Sequence, residues 1–181
     1  MGAMETREPL TLAEIDAIRV YCRTQVTKRA ALSGAISALP LPMVDAAADL
    51  GLLMRLLPQI SAEFELRPED IARQDPESQA VVYTAVKTLG DSFVGKFITR
   101  RVIAAMLARM GTKIVGKSMA KYAPLVGQVA SASISFALMR HIGLKHVEDC
   151  YKVARARAEA RLFGVEGVVI DGVAVRDRVA E

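Results

Sequence analysis

The chain has 181 residues, a formal net charge of +4 and a hydrophobic fraction of 52%, with no tryptophan. This length suits one domain with a hydrophobic core. Only Cys22 and Cys150 are present, which excludes a framework of several disulfides and indicates a reducing compartment. Because Glu5, Arg7 and Glu8 interrupt any apolar signal-peptide core, we expect the bulk of the protein to face the cytoplasm.

The predicted fold class is all-α, a helical bundle with a short β-hairpin in its tail. Residues 1–10 are expected to be a disordered N-terminus, whose opening Met1-Gly2-Ala3-Met4 resembles a cloning scar. Residues 11–163 are expected to form a single helical domain, and residues 164–181 a tail.

The first predicted helix starts at a capping box. The Thr11 hydroxyl can accept from the amide of Glu14, and the Glu14 carboxylate can accept from the amide of Thr11. The helix is expected to run to about residue 39, with either Tyr21 or Cys22 on its buried face. Prolines at positions 40 and 42 then prevent regular helix, so residues 30–60 are predicted to be an apolar helical hairpin with a proline elbow at 40–42.

Residues 65–79 are polar and rich in proline, which predicts a surface connection. Asp75-Pro76-Glu77 is typical of a helix start, because proline fits the first turn and acids favour the positive end of the helix dipole. A long helix is therefore predicted over residues 77–109, weakened by glycines at 90, 95, 111 and 116.

Two further helices are predicted, over residues 125–142 and 145–163, with Gly143 in a left-handed conformation between them. The second of them is expected to carry a charged and polar exterior that includes His146, Asp149 and Arg157. In the tail, strand-forming residues flank Asp171-Gly172, which is a strong hairpin signal.

A helix-packing or membrane segment is suggested by residues 122–139, which contain no charged residue. This length is at the lower limit for crossing a bilayer. Gly127, Ser131 and Ser135 recur at every fourth position, a spacing that lets helix backbones approach closely. Such a stripe serves a membrane helix and a buried helix of a soluble bundle equally well, so both interpretations stay open.

Two carboxylates interrupt the second arm of the apolar hairpin. Asp45 and Asp49 are four residues apart and share a helix face, and they would be unfavourable in lipid. They could bind a divalent cation, but no further ligand lies nearby in the sequence. Helix capping or ion pairing with basic residues is the favoured interpretation, and their role is left open.

Positive charge concentrates between residues 87 and 121, where eight basic residues accompany one acidic residue, Asp91. The predicted lipid-binding or partner-binding residues are Lys96, Arg100, Arg101, Arg109, Lys113, Lys117 and Lys121. The last four repeat every four residues, so on a helix they would form one stripe opposite an apolar face. Such a stripe can bind anionic headgroups, although it is also typical of an ordinary solvated face. Nucleic acid is disfavoured because no aromatic platform accompanies the charge.

The sequence contains no recognisable catalytic motif, and we predict neither a catalytic site nor a cofactor. The chain lacks a phosphate-binding glycine loop and a nucleophile elbow. His141, His146 and Cys150 are too few and unsuitably spaced for a structural zinc site, so no metal is predicted.

Three segments carry a family resemblance: ALSGAISALPLPMVD at 31–45, ISAEFEL at 60–66, and VGQVASA at 126–132 continuing through LMRHIG at 138–143 to Cys150. Together they resemble the C-terminal domain of YcjF-like bacterial proteins, a helical domain of unknown function. The resemblance covers roughly residues 30–155. It implies a link to the bacterial inner membrane and to Era-like GTPases; a GTPase would be a separate partner, because this chain has no GTPase motif. It assigns no catalytic residue.

We therefore expect a non-enzymatic protein at the cytoplasmic face of a bacterial inner membrane, peripheral or integral, that binds anionic lipid and self-associates. The resemblance implies a GTPase as a candidate partner. The alternative is a soluble helical adaptor that presents its basic face to an acidic protein partner.

Overall fold

The computed structural model describes residues 9–37, 44–90, 92, 94–95, 124–164, 168–170 and 173–174. Within them the helices are α1 (Leu12–Ser37), α2 (Val44–Glu63), α3 (Pro68–Ala72), α4 (Pro76–Leu89) and α5 (Pro124–Phe163). Two short strands, β1 (Val169–Ile170) and β2 (Val173–Ala174), follow. The helices pack as a bundle, which confirms the all-α prediction.

Helix α1 begins at the predicted capping box. The Thr11 amide donates to Glu14 Oε2 at 2.8 Å, and the Glu14 amide donates to Thr11 Oγ1 at 3.3 Å. These bonds satisfy amides that the first helical turn leaves without partners. The helix ends at Ser37, and the predicted proline elbow at 40–42 lies outside the described residues.

The buried stripe of α1 consists of Ile15, Cys22, Val26 and Ala30, none of them more than 2% exposed. Their spacings of seven, four and four residues keep them on one helix face. Tyr21 is 51% exposed, so Cys22 is the residue that faces the core.

Helices α1 and α5 lie antiparallel. The Tyr151 hydroxyl donates to Asp16 Oδ1 at 2.8 Å, whereas Val26 lies against Gly143 further along α1. Along the contact, residue numbers on α5 therefore decrease as residue numbers on α1 increase. Most of the described length of α1 is paired with α5.

Helix α2 runs parallel to α5 and therefore antiparallel to α1. The His146 ring contacts Leu57 and Ser61, and Glu65, just after the end of α2, contacts Arg157, about three turns further along α5. Around these contacts the core is filled by aliphatic side chains from both helices, namely Leu53, Leu56, Leu57, Ile60, Met139, Ile142, Val147 and Val153. The bundle core thus forms where α1, α2 and α5 meet.

The end of α2 is closed by Glu65 in a left-handed conformation, with φ of 55°. The Glu65 amide donates to the Ala62 carbonyl at 3.1 Å and the Leu66 amide to the Ser61 carbonyl at 2.8 Å. This pairing is the Schellman arrangement, in which glycine usually occupies the left-handed position. Here Glu65 occupies the left-handed position, and its carbonyl and its carboxylate both accept hydrogen bonds from Arg157.

Helix α4 starts where the sequence predicts, because Asp75 Oδ1 accepts from the Ser78 amide at 2.9 Å and Pro76 occupies the first turn. The prediction that this helix continues to residue 109 is wrong, since it ends at Leu89. Gly90 follows with φ of 64°, a conformation that glycine adopts without the Cβ penalty. Residues 96–123 lie outside the described part of the chain.

The prediction of two helices separated by Gly143 is also wrong, because α5 is continuous over its 40 residues. A Cβ built on Gly143 would lie 2.7 Å from Val26 Cγ1, so this glycine permits close helix contact. The predicted polar exterior needs a second correction: His146, Asp149 and Arg157 are all at most 6% exposed.

In the tail, β1 and β2 pair antiparallel, with Val169 opposite Ala174 and Ile170 opposite Val173. Each strand contains two residues. Asp171 and Gly172 lie outside the described residues, so the predicted hairpin turn stays a prediction.

Candidate functional site

Three helix ends lie at the same end of the bundle, because α1 is antiparallel to α5 and α2 is parallel to it. They are the C-terminal end of α1 and the N-terminal ends of α2 and α5. We name this region, residues 30–37, 44–54 and 124–139, the apolar end. Its only charged residues are Asp45 and Asp49.

The packed core extends into the apolar end, where Ala30, Ser33, Leu53 and Met139 are at most 1% exposed. On other faces of α1 and α5 at this end, Leu32 is 51% exposed and Phe136 is 36% exposed. Large apolar side chains on two helices therefore face solvent next to a region with almost no charge.

Helix α5 extends further at this end than α1 does. Continuing the register from Val26 and Gly143 places Ser37 beside about position 132, at 1.5 Å of rise per residue in both helices. The first two turns of α5, from Pro124, therefore lie beyond the last residue of α1.

The sequence-predicted site residues fall in three places. Asp45 and Asp49 lie in the first turns of α2, and Gly127, Ser131 and Ser135 lie in the first half of α5. Both sets lie within helices, in which residues four positions apart share a face. The basic set Lys96, Arg100, Arg101, Arg109, Lys113, Lys117 and Lys121 lies outside the described residues. Leu32 and Phe136 were not singled out by the sequence, since a uniformly apolar segment does not show which of its residues remain exposed.

The opposite end of the bundle carries ion pairs between α1 and α5, together with the exposed apolar side chains Leu162 and Phe163. Arg19 donates to Glu148 through Nε at 3.1 Å and also through Nη2, and Arg23 donates to the same carboxylate. Burial raises the pKa of the Glu148 carboxyl, but the hydrogen bonds from the two arginines outweigh it and the pKa is lowered. The Arg19 guanidinium also lies over the Tyr151 ring, 4.4 Å from its centroid. These contacts orient α1 on α5, although exposed ion pairs add little stability individually.

A buried polar cluster lies between the two ends. His146 Nε2 is 3.0 Å from Ser61 Oγ, 3.1 Å from the Leu57 carbonyl oxygen and 3.6 Å from Cys150 Sγ. Burial lowers the pKa of His146 to about 4 and raises that of the Cys150 thiol well above its usual value. Cys22, on the facing helix, has its pKa raised to about 12, chiefly by burial. The cluster is therefore neutral at physiological pH and acts as a polar connection between α2 and α5.

Within the described ranges, no helix combines the length and apolarity that a bilayer crossing requires. In that same part of the chain, no group of three or more His, Cys, Asp or Glu side chains is placed to hold a metal ion.

No protein-family model matches this chain, and no curated protein or solved structure matches it. The resemblance to YcjF-like proteins therefore stays a prediction based on the quoted segments.

Proposed function

We propose that this protein attaches through its apolar end to the cytoplasmic face of a bacterial membrane and self-associates there, without catalysing a reaction. One observation carries the proposal: three helix ends with almost no charge converge at one end of the bundle, away from the ion pairs that join α1 and α5. A GTPase partner is proposed only on the basis of the family resemblance.

The exposed side chains support contact with lipid. Leu32 and Phe136 are partly exposed, and transferring what remains exposed of each into lipid would contribute about 1–2 kcal/mol. Phe136 follows Pro124 by 12 residues, which is about 18 Å of helix rise, so lipid contact at this side chain involves most of the apolar end and not only its tip.

The basic residues support attraction to anionic lipid. Lys121 precedes Pro124, the first residue of α5, by three positions in the sequence. The basic set is therefore adjacent in sequence to the apolar end. Each such charge near an anionic surface contributes about 1 kcal/mol, screened by salt.

Asp45 and Asp49 are the unfavourable feature of the apolar end, since carboxylates are costly in hydrocarbon. Raising the salt concentration would weaken the contact of the basic residues with anionic lipid.

Vesicle flotation with two matched variants tests the proposal. Phe136→Glu places a charge at the apolar end, and Phe163→Glu places the same charge at the far end of the same helix, where the ring is 73% exposed. We expect Phe136→Glu to lower the partition coefficient of the protein on anionic vesicles by at least about tenfold. Phe163→Glu should float like wild type. Equal behaviour of the two variants, or failure of the wild type to float at low salt, would refute attachment through this end and favour the soluble adaptor.

Self-association needs its own measurement. Small residues at positions 127, 131 and 135 allow close helix contact. We expect oligomers on vesicles by chemical cross-linking, and weaker cross-linking when Ser131 is replaced by Leu. A wild type that is monomeric on vesicles would contradict this part of the proposal.

A further inference from the structure

A surface groove of about 240 Å³ lies between α1 and α2. Its floor is apolar, formed by Cys22, Leu56 and Ile60, and its rim is polar. Sites of this kind, with an apolar base and a few polar groups, are typical of small-ligand recognition, although this one is smaller than a drug-sized pocket. It suits a compact group with polar ends.

Opposite charges stand at the two ends of the groove. Arg29 on α1 donates to Gln59 Oε1 on α2, and Glu63 lies one turn further along α2. Among the described residues, Arg29 has no carboxylate partner and the Glu63 carboxylate makes no hydrogen bond or ion pair. The groove therefore offers a cation and a carboxylate that no oppositely charged side chain of the described residues pairs with. Gln59, which accepts from Arg29, and Glu63 are separated by about 6 Å of rise along α2.

The order of these charges relative to the apolar end is fixed by the helix directions. The apolar end begins at residue 30 on α1, so Arg29 lies at its boundary. Glu63 is the last residue of α2 and lies farther from the apolar end. A ligand along the groove would place its anionic part toward the proposed membrane and its cationic part away from it.

We propose that this groove binds the headgroup of an ethanolamine phospholipid, with the phosphate on Arg29 and the primary ammonium on Glu63. In a bilayer the phosphate of this headgroup lies nearer the hydrocarbon than the ammonium does, which matches the order of the two side chains. The ammonium has N–H donors for the Glu63 carboxylate, and a guanidinium is a good phosphate partner. The lipid source of the headgroup rests on the proposed membrane attachment; the charge pattern of the groove does not.

The first experiment uses no membrane. The full chain is titrated with water-soluble glycerophosphoethanolamine and, in parallel, with glycerophosphocholine and inorganic phosphate, and the backbone amide shifts of α1 and α2 are followed by NMR. We expect the ethanolamine compound to shift amides around Arg29 and Glu63 and to bind more tightly than the choline compound, whose quaternary ammonium has no N–H donor. Equal affinity for all three compounds, or no shifts in the groove, would overturn the proposal.

Charge-removing variants separate the two ends of the groove. Glu63→Gln should weaken glycerophosphoethanolamine binding by about threefold to tenfold and leave inorganic phosphate binding unchanged. Arg29→Gln should weaken both. Lys28→Gln and Glu77→Gln, which change exposed charges outside the groove, are the matched controls and should bind like wild type. If the controls weaken binding as much as the groove variants, the interaction is one of overall charge and the proposal is wrong.

Vesicles then separate this inference from the proposed function. At a fixed anionic fraction, replacing choline lipid by ethanolamine lipid should increase flotation of the wild type but not of Glu63→Gln. Flotation that is independent of ethanolamine lipid, together with no headgroup binding in solution, would remove the groove proposal and leave membrane attachment standing. Headgroup binding in solution without any flotation would remove the proposed membrane attachment and leave headgroup binding by the groove standing.

Discussion

Replacing Gly143 by alanine would place a methyl group at the closest contact between α1 and α5. The added Cβ would lie 2.7 Å from Val26 Cγ1 and 3.0 Å from Val26 Cγ2. Val26 is fully buried, and its branched side chain has little rotamer freedom in a helix. The clash must therefore be relieved by moving one helix relative to the other.

The expected magnitude combines two opposing effects. Overpacking a well-packed core costs about 2–3 kcal/mol, whereas replacing glycine by alanine inside a helix contributes up to about 1 kcal/mol. The net loss for Gly143→Ala is therefore about 1–2 kcal/mol. Gly51→Ala is the matched control, because Gly51 lies inside α2 with no atom within 4 Å of its Cβ position. That variant should gain about 0.5–1 kcal/mol.

Urea unfolding followed by far-ultraviolet circular dichroism measures both effects. A double-mutant cycle with Val26→Ala adds a direct test of the contact. Truncating Val26 makes room for the new methyl, so the double variant should be more stable than the sum of the single variants by at least about 1 kcal/mol. If Gly143→Ala were as stabilising as Gly51→Ala, and additive with Val26→Ala, the close packing of α1 on α5 would be refuted.

Three further predictions concern buried and capping groups. The pKa of His146 is lowered to about 4 from 6.5, so the unfolded chain binds a proton that the folded chain does not. The free energy of unfolding should fall by about 3 kcal/mol as the pH drops from 6.5 to about 4. Urea unfolding at several pH values should show a weaker pH dependence of this free energy for His146→Gln than for wild type. The same pH dependence in both proteins would contradict a lowered pKa of His146. Glu65→Gln leaves the Arg157 charge buried and should lower the free energy of unfolding, measured in urea, by about 2 kcal/mol. Arg157→Met removes that charge and should lower it by less. A larger loss for Arg157→Met than for Glu65→Gln would be inconsistent with the buried pair. Thr11→Ala should cost about 1 kcal/mol by the same assay, and Glu14→Gln less, because the amide oxygen still accepts from the Thr11 backbone; no loss in either variant would argue against the capping box.

The helix starts could be predicted because their signals are local. Thr11 with Glu14, and Asp75 with Pro76, each satisfy the first helical turn using residues within a few positions. Neither start depends on what the helix later packs against. Such features follow from the sequence alone.

The helix ends and breaks were harder to predict because glycine has several roles. Gly90 and Gly143 were both interpreted from the sequence, the first as a weak point inside a helix and the second as a terminus. The structure reverses these roles: a helix ends before Gly90, and α5 passes through Gly143. The reason for the second is contact with Val26, more than a hundred residues away in sequence.

The buried polar residues of α5 show the same limit. Aspartate and arginine are seldom buried, so a solvent-facing position is the ordinary expectation for Asp149 and Arg157. Arg157 is buried because the side chain and carbonyl of Glu65 accept its hydrogen bonds. His146 is buried because its Nε2 lies within hydrogen-bonding distance of the Leu57 carbonyl and the Ser61 hydroxyl. These partners belong to α2 and its C-terminal end, and nothing in the sequence of α5 indicates them.

The candidate site was partly predictable. Absence of charge in residues 30–44 and 122–139 is visible in the sequence, and it singled out both segments. Their placement at one end of the bundle depends on the directions of α1, α2 and α5, which only the structure gives.

A single tryptophan at the apolar end tests membrane attachment most directly, because the chain contains no native tryptophan. Phe136→Trp reports on the apolar end and Phe163→Trp on the opposite end of α5. On anionic vesicles that contain brominated lipid, we predict a blue shift and strong quenching for Trp introduced at position 136, and neither for position 163. Equal quenching at both positions, or at neither, would contradict attachment through the apolar end.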